Sequence, residues 1–493
     1  MLRRIVTAGV LAAVLGIPSV VQAGPPPGSP GAGDVYYPDY GNGGYDVAHY
    51  DIRLRYRPKS DRLTGTTTIL ASATQDLSRF NLDFALATKS VRVNNRPARF
   101  ARKRAHELVV TPARPLVSGE PMTIVVEYDD VPSKVAADGK TSWNRTPDGA
   151  LAVNEPEIAW WWYPSNDHPT DKASFDVSVL VPDGVEVISN GTPTEWATRA
   201  VDGWSRYSWR QDKPQAGYLA FLAIGDFDVS LDTSADGSPI VTAYSTRLDA
   251  ATAAAAKASV ERSDEITDWL AERFGPYPFS ARGGVVTGVD DQPFALENQT
   301  RPVYDGGFFE SGANVSVVVH ELAHQWFGDS VSVAQWKDIW LNEGFATYAE
   351  WLWSEDQGEG TAAEIARYVH STAHPADDSF WQTPPGDPGA ADLFDSAVYD
   401  RGALTLHHLR ELVGDKHFFA ILKAWTDAEK YGTATTAEFQ ALAERISGVD
   451  LDEFLKKWLY TPGRPEVPAR TPATAPAKPK SWSGLAQRAE TRG

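Results

Sequence analysis

Cysteine is absent from all 493 residues, which at one stroke excludes a disulfide framework, a thiol nucleophile, a Cys-ligated zinc and an iron–sulfur cluster. Basic residues are scarce: 46 Lys+Arg face 65 Asp+Glu, for a formal net charge of −19. A nucleic-acid partner needs a basic face to meet phosphate, so that class is excluded as well. Long apolar runs are missing. No stretch approaches the roughly 18 apolar residues of a membrane-spanning helix, and the chain has no internal repeat. What is present is an ordinary globular composition, 42% hydrophobic and 23% charged. At roughly 100–200 residues per domain, the length predicts about two to four domains.

The first 23 residues read as an address. Arg3 and Arg4 precede an apolar run from Ile5 to Ile17, and Val21-Gln22-Ala23 follows. That order predicts a secretory signal peptide over 1–23, cut after Ala23, leaving a secreted, extracytoplasmic chain with no transmembrane segment. Residues 24–35 are rich in Gly and Pro and read as a flexible linker without the means to pack. From 36 to 235 the pattern is that of strands: Tyr50, Ile52, Leu54 and Tyr56 alternate with charged residues, as Phe175, Val177, Val179 and Val181 alternate with polar ones. These runs predict a mostly antiparallel β domain. The character changes near Asp249, which should cap a helix running to Phe274 and stopping at Gly275-Pro276. Thr435 with Glu438 forms a capping-box pattern ahead of Phe439, Leu442 and Ile446, and Gly448 ends it. A mainly helical domain is therefore expected over 236–462, in an α+β multidomain chain. From 463 to 493 a Pro/Ala-rich, basic tail reads as disordered.

The chemistry concentrates in SVVVHELAHQWFG at 316–328. On a helix His320 and His324 share one face, about 6 Å apart along the axis, and can chelate one ion. Glu321 is placed to reach a water on that ion without becoming a ligand, and Gly328 should end the helix. A catalytic zinc needs a third protein ligand and an open position. Glu343 lies nineteen residues after His324, among Trp340, Leu341, Phe345 and Tyr348. An acid in that apolar setting needs a partner, and the metal would provide one. Two imidazoles and a carboxylate also suit cobalt or manganese. His370 and His374 share the spacing but lack a neighbouring acid, and Pro375 follows; they read as a solvated helix end. The neighbours His407 and His408 point to different faces and make no chelating pair.

HELAH, eighteen intervening residues and Glu343 inside WLNEGFA resemble the gluzincin aminopeptidases, the family of aminopeptidase N and leukotriene hydrolase. FGPYPF at 274–279, Ala295-Leu-Glu-Asn298, VYDRGAL at 398–404, and Glu155-Pro156 ahead of Tyr163-Pro164-Ser-Asn-Asp167 extend the resemblance from about residue 45 to 460. The resemblance implies one Zn²⁺ per chain on His320, His324 and Glu343, with Glu321 as general base and Tyr399 as oxyanion donor. It implies peptide substrates with a free N-terminus, held by Glu297 and, from the β domain, Glu155, with Ala295 and Asn298 in the same substrate-binding motif. It further implies a saddle-like β domain, a thermolysin-like catalytic domain, a cleft between them, and a short form without the family's large helical C-terminal domain, leaving that cleft more open. Phe294 and Leu296 depart from the family's glycine and methionine, putting the substrate-docking edge in doubt. The readings left open are a thermolysin-like endopeptidase, a remote epoxide hydrolase, and a catalytically dead peptide-binding module. Trp160-Trp-Trp162 and Trp351-Leu-Trp353 are expected to pack between domains, or else to wall the substrate site.

Overall fold

The computed structural model describes residues 24–137, 139–467 and 476–490; the expected signal peptide lies outside the described residues. Among the described residues no helix is long and apolar enough to cross a membrane.

The period-two pattern builds the first domain. Strand Tyr45–Arg57 turns Tyr50, Ile52, Leu54 and Tyr56 into the core and its charges outward. It lies inside an eight-stranded sheet ordered Thr192–Val201, Trp204–Gln215, Ala173–Pro182, Tyr45–Arg57, Arg62–Ala73, Pro121–Asp130, Thr88–Val93 and Arg96–Pro97. Every neighbouring pair is antiparallel except Tyr45–Arg57 with Ala173–Pro182. A three-stranded sheet (Phe80–Asp83, Glu107–Thr111, Arg99–Arg102) and a four-stranded sheet, in the order Glu186–Ile188, Leu222–Gly225, Ala150–Ala152 and Trp143–Arg145, share its core.

The second domain opens on a five-stranded sheet, in spatial order Phe227–Thr233, Pro239–Ser245, Arg282–Val286, Val303–Tyr304 and Ala295–Leu296. The expected boundary at 235/236 therefore falls inside its first hairpin, and the change of sheet comes between Gly225 and Phe227. The composition shift at Asp249 marks the onset of helix, not of the domain. One face of this sheet, with Val241, Ala243, Val285, Leu296 and Val303, joins the β-domain core, while Tyr244, Val286, Ala295 and Tyr304 join the helical one.

Eight helices matter for the site: α1 (Ala250–Val260), α2 (Ser263–Phe274), α3 (Val315–Ala323), α4 (Trp340–Asp356), α5 (Ala362–Tyr368), α6 (Ser396–Val413), α7 (Asp415–Ala428) and α8 (Thr436–Ser447). Asp249 caps α1 by accepting from the amides of Ala251 and Thr252, and the Thr435/Glu438 capping box opens α8. The expected single helix from Asp249 to Phe274 is two, because Ser263 Oγ bonds back to Val260 O (2.6 Å) while Arg262 leaves helical geometry at φ −80°, ψ 0°. His370 is buried, bonded through Nε2 to Pro465 O (2.9 Å), and His374 stacks on Phe380 with ring centroids 3.6 Å apart. They form no chelating pair, and His370 is not solvated. Trp160, Trp161 and Trp162 fill the β-domain core, and Trp351 and Trp353 the helical core; neither run bridges the domains.

The segment expected to be a flexible linker is a strap. Its backbone bridges to the β domain at Gly28 N–Arg79 O (2.9 Å). Asp34, buried, then accepts from the amides of Tyr36 (2.8 Å), Tyr37 (2.9 Å) and, in the catalytic domain, Trp336 (2.8 Å), with His168 Nε2 at 3.4 Å. Val35 N donates to Gln335 (3.1 Å), and the Tyr36 hydroxyl joins Asp387 and the amide of Gly389. A Gly/Pro-rich stretch cannot build a core of its own, but it docks readily on two that already exist. The expected disordered tail also packs where it is described. Trp482 meets Tyr368 (ring centroids 4.8 Å apart), Leu485 is buried in the helical core, and Ser354 Oγ donates to Ser481 Oγ (2.8 Å). Helix Trp482–Glu490 supplies the short apolar spacing that the surrounding prolines conceal.

Burial raises the Asp34 carboxyl, but the bonds from His168 and the amides of Trp336, Tyr37 and Tyr36 outweigh it and hold the group below its ordinary value. Its stabilisation is thus present above about pH 4 and lost as acid protonates it. Replacing Asp34 by Ala strands the buried Trp336 amide and should remove about 2–3 kcal/mol. A urea midpoint unchanged from wild type at pH 7 would show that the strap fastens nothing.

Candidate active site

Helix α3 is made of residues that resist helix in isolation. Val315, Val317, Val318 and Val319 are β-branched, and the helix persists because Asn314 caps it (Val317 N to Oδ1, 3.4 Å) and its valines enter the core. His320, Glu321 and His324 are fully buried. The helix ends at His324, sooner than the expected stop at Gly328. Residues 325–327 turn back through Gln325 N–Leu322 O (3.2 Å) and Trp326 N–Ala323 O (3.1 Å). Gly328, at φ +135°, sits where a Cβ would lie 3.4 Å from His324 Nδ1, so the tight turn leaves that ring its place.

Helix α4 faces α3 and carries Glu343 in its first turn. One oxygen, Glu343 Oε2, lies 3.1 Å from His320 Nε2 and 3.4 Å from His324 Nε2. Ligands around a tetrahedral zinc at about 2.0–2.1 Å stand about 3.3–3.4 Å from one another, so this spacing fits the ion. The far ring nitrogens are already engaged: His320 Nδ1 with Glu350 (2.8 Å) and His324 Nδ1 with Phe327 O (2.9 Å). Both bonds turn Nε2 toward the centre, and His324 Nε2 has no hydrogen-bond partner there. Burial pulls the His324 imidazole down, while Glu297, Glu343 and Glu321 together outweigh it and push its pKa well above the usual value. A dication held among those carboxylates would take the place of that proton.

The other expected residues come from four separate segments. Tyr399 stands in the first turn of α6, capped by Asp395 (Ala397 N, 2.8 Å), with its ring 6.0 Å from that of His320. It reaches the site because α4 and α6 cross at two glycines: a Cβ on Gly344 would lie 2.9 Å from Gly402 Cα. Glu297 follows the edge strand Ala295–Leu296 and is buried; a carboxylate oxygen of Glu297, one of Glu321 and a nitrogen of His324 all lie within 4.8 Å of one another. Gln325 clamps this loop by donating to Glu297 O (3.0 Å) and accepting from Thr300 N (2.7 Å). Asn298 Nδ2 donates to Leu219 O (3.1 Å), tying the loop to the β domain, and Ala295 pairs with Tyr304 in the sheet. Phe294 turns away to pack against the β-domain core.

Glu155 enters from the β domain. The Tyr218 hydroxyl, 3.5 Å from Glu297 Oε1, is pushed well above its ordinary pKa by burial, then by Glu297, then by Glu155. Tyr37 is pushed up to about 12 by burial and by Glu157 and Glu155. Acids of both domains, Glu297 and Glu155, therefore act on Tyr218. Tyr218 carries no motif and is invisible in the sequence. Glu350 was legible there, since it stands two helical turns after Glu343 in WLNEGFATYAE, on the same face.

Removing the Glu350 carboxylate frees the His320 ring, so Glu350→Leu should weaken zinc binding about 10–100-fold. Competition against a chromophoric chelator measures this, and an unchanged affinity would deny Glu350 the role.

The Peptidase M1 N-terminal domain matches residues 47–219, and the Peptidase family M1 domain matches residues 309–458. A probable aminopeptidase 2 of Sulfurisphaera tokodaii is 29% identical over 62% of this chain and 40% of its own length. Glutamyl aminopeptidase of Rattus norvegicus is 24% identical over 85% of this chain and 47% of its own. The chain thus spans less than half the length of these relatives. Among solved structures, an M1 zinc metallopeptidase from Deinococcus radiodurans superposes with a TM-score of 0.76 at 29% identity, over 90% of this chain and all of that one. A two-domain M1 zinc metallopeptidase variant bound to L-arginine superposes with a TM-score of 0.78 at 28% identity, with the same coverage. With the helix pair, the donor set and both domains in agreement, the chain belongs to peptidase family M1, the zinc metallopeptidases.

Proposed function

We propose that this protein is a secreted aminopeptidase that removes the first residue of peptides with a free N-terminus. The observation that carries this reading is the closeness of Glu297 to the metal ligands: its carboxylate lies within 4.8 Å of Glu321 and His324 donor atoms. An acid so near the reacting centre holds an α-ammonium one residue from the scissile bond, and leaves no room for an upstream chain. Glu155 adds a second negative charge from the other domain. Two-domain relatives are described bound to L-arginine and to L-tryptophan, which supports a first-residue site open to both basic and aromatic side chains.

His320, His324 and Glu343 would hold the zinc, which when bound polarises the scissile carbonyl and acidifies a water. Glu321 accepts the water's proton and returns it to the departing amine. The Tyr399 hydroxyl donates to the oxyanion that develops on the carbonyl oxygen. The strand edge at Ala295 aligns the peptide backbone. Phe294, packed on the β domain, leaves that edge to its neighbours.

Fluorogenic amino-acid amides should be cleaved only with a free amine, and their N-acetyl forms left intact. Glu321→Gln should lower kcat about 10²–10⁴-fold, and Glu297→Ala should lower cleavage of the free amine without creating activity on the acetylated one. Cleavage of acetylated peptides by the wild type would favour the endopeptidase reading. No cleavage of either form by zinc-loaded protein would favour the binding module.

Secretion rests on Arg3, Arg4 and the apolar run ending before Ala23. Protein recovered from outside the cytoplasm should begin at Gly24, as read by N-terminal sequencing; a full-length chain confined to the cytoplasm would refute it.

A further inference from the structure

A second set of metal-type donors lies wholly inside the β domain. Strands Phe80–Asp83 and Glu107–Thr111 pair antiparallel with Asp83 directly opposite Glu107. Two acids facing each other across a ladder repel, and here neither meets water: Asp83 is 0% and Glu107 2% exposed. Both Glu107 carboxylate oxygens and Asp83 Oδ1 lack a hydrogen-bond partner. The imidazole of His106 stands beside them, 8% exposed, with Nε2 3.8 Å from Asp83 Oδ1. A donor atom from each of the three lies within 4.8 Å of the others.

The surroundings hold these donors in place. Asp83 Oδ2 is taken up by Asn42 Nδ2 (3.1 Å) and Asp167 N (2.8 Å), which turns Oδ1 toward the imidazole. The His106 ring lies flat on Trp160, centroids 3.9 Å apart, and its Nε2 is 3.1 Å from the carbonyl oxygen of Asp39. Arg104 is paired at the surface with the Asp39 carboxylate.

We propose that Asp83, His106 and Glu107, with the Asp39 carbonyl, form a second divalent-metal site, distinct from the catalytic one and suited to Zn²⁺ or Mn²⁺. One imidazole with carboxylate and carbonyl oxygens is a donor set both ions accept. An ion there would fasten the strap, through Asp39, to the strand pair. It would also steady the segment from Glu155 to Trp160, whose last residue stacks on His106. The site would therefore brace the β-domain acid of the amine pocket from behind.

Metal-stripped wild-type protein titrated calorimetrically with Zn²⁺, and separately with Mn²⁺, should take up two equivalents of at least one ion. The double variant His106→Ala/Glu107→Gln should retain one, and the double variant His320→Ala/His324→Ala should retain the other. If the β-domain variant fails to fold, the His320→Ala/His324→Ala protein still decides the matter, since its cluster is intact. It should bind one Mn²⁺ and give the electron paramagnetic resonance spectrum of a protein-held ion, and should melt higher with Mn²⁺ than with chelator. A single equivalent in the wild type, lost completely in that variant, overturns the proposal. Peptide cleavage enters none of these readouts, so the metal count stands or falls apart from the aminopeptidase reading.

Discussion

Five carboxylates, Glu297, Glu321, Asp329, Glu343 and Glu350, are buried around two imidazoles in the interior of the catalytic domain. Burying uncompensated charge is among the most unfavourable things a fold can do, and the surrounding architecture reads as the means of holding that charge in one arrangement. The valine face of α3 forces the histidines inward. The far nitrogen of each ring is occupied, by Glu350 or by the Phe327 carbonyl. Gln325 locks the loop of Glu297 to the helix that bears the ligands. A zinc ion held by His320, His324 and Glu343 would relieve the accumulated negative charge.

Two contacts carry this arrangement outward. The crossing of α4 and α6 at Gly344 and Gly402 brings backbones close enough for Tyr399 to stand over His320. The five-stranded sheet, with one face in each core, fixes the β domain against the catalytic one. Asn298 and Leu219 then join the loop of Glu297 to the turn that carries Tyr218. The acids that act on Tyr218 thus come from both domains, while the donors His320, His324 and Glu343 belong to the helices alone.

The parts of the molecule legible in the sequence are those whose physics is local. The spacing of His320 and His324 follows from helical pitch, and the strand alternation at 50–56 from the pleat. Glu343 stood out as an acid among aromatics. What escaped depends on contacts far along the chain. Tyr218 is a tyrosine in a turn until Glu297, 79 residues later, comes beside it. The strap reads as a tether because its composition lacks apolar periodicity, yet its partners are 300 residues away. The 235/236 boundary was misplaced because a hairpin of the catalytic sheet has the same pattern as the β domain it follows. The break at Arg262 turns on one serine bonding backward, a choice that helix propensity does not encode.

The strap has a consequence for the order of synthesis. Its residues leave the ribosome well before Trp336 and Asp387, which they grip and which lie 302 and 351 residues further along the chain. The β domain can fold as soon as its last strand is out, with Asp34 still lacking its catalytic-domain partner. Fastening must then be among the final events, when the loop ahead of α6 has formed. A nascent chain paused before residue 387 would hold a finished β domain and an unfastened N-terminal segment, so any partner that grips this segment early competes directly with completion of the enzyme.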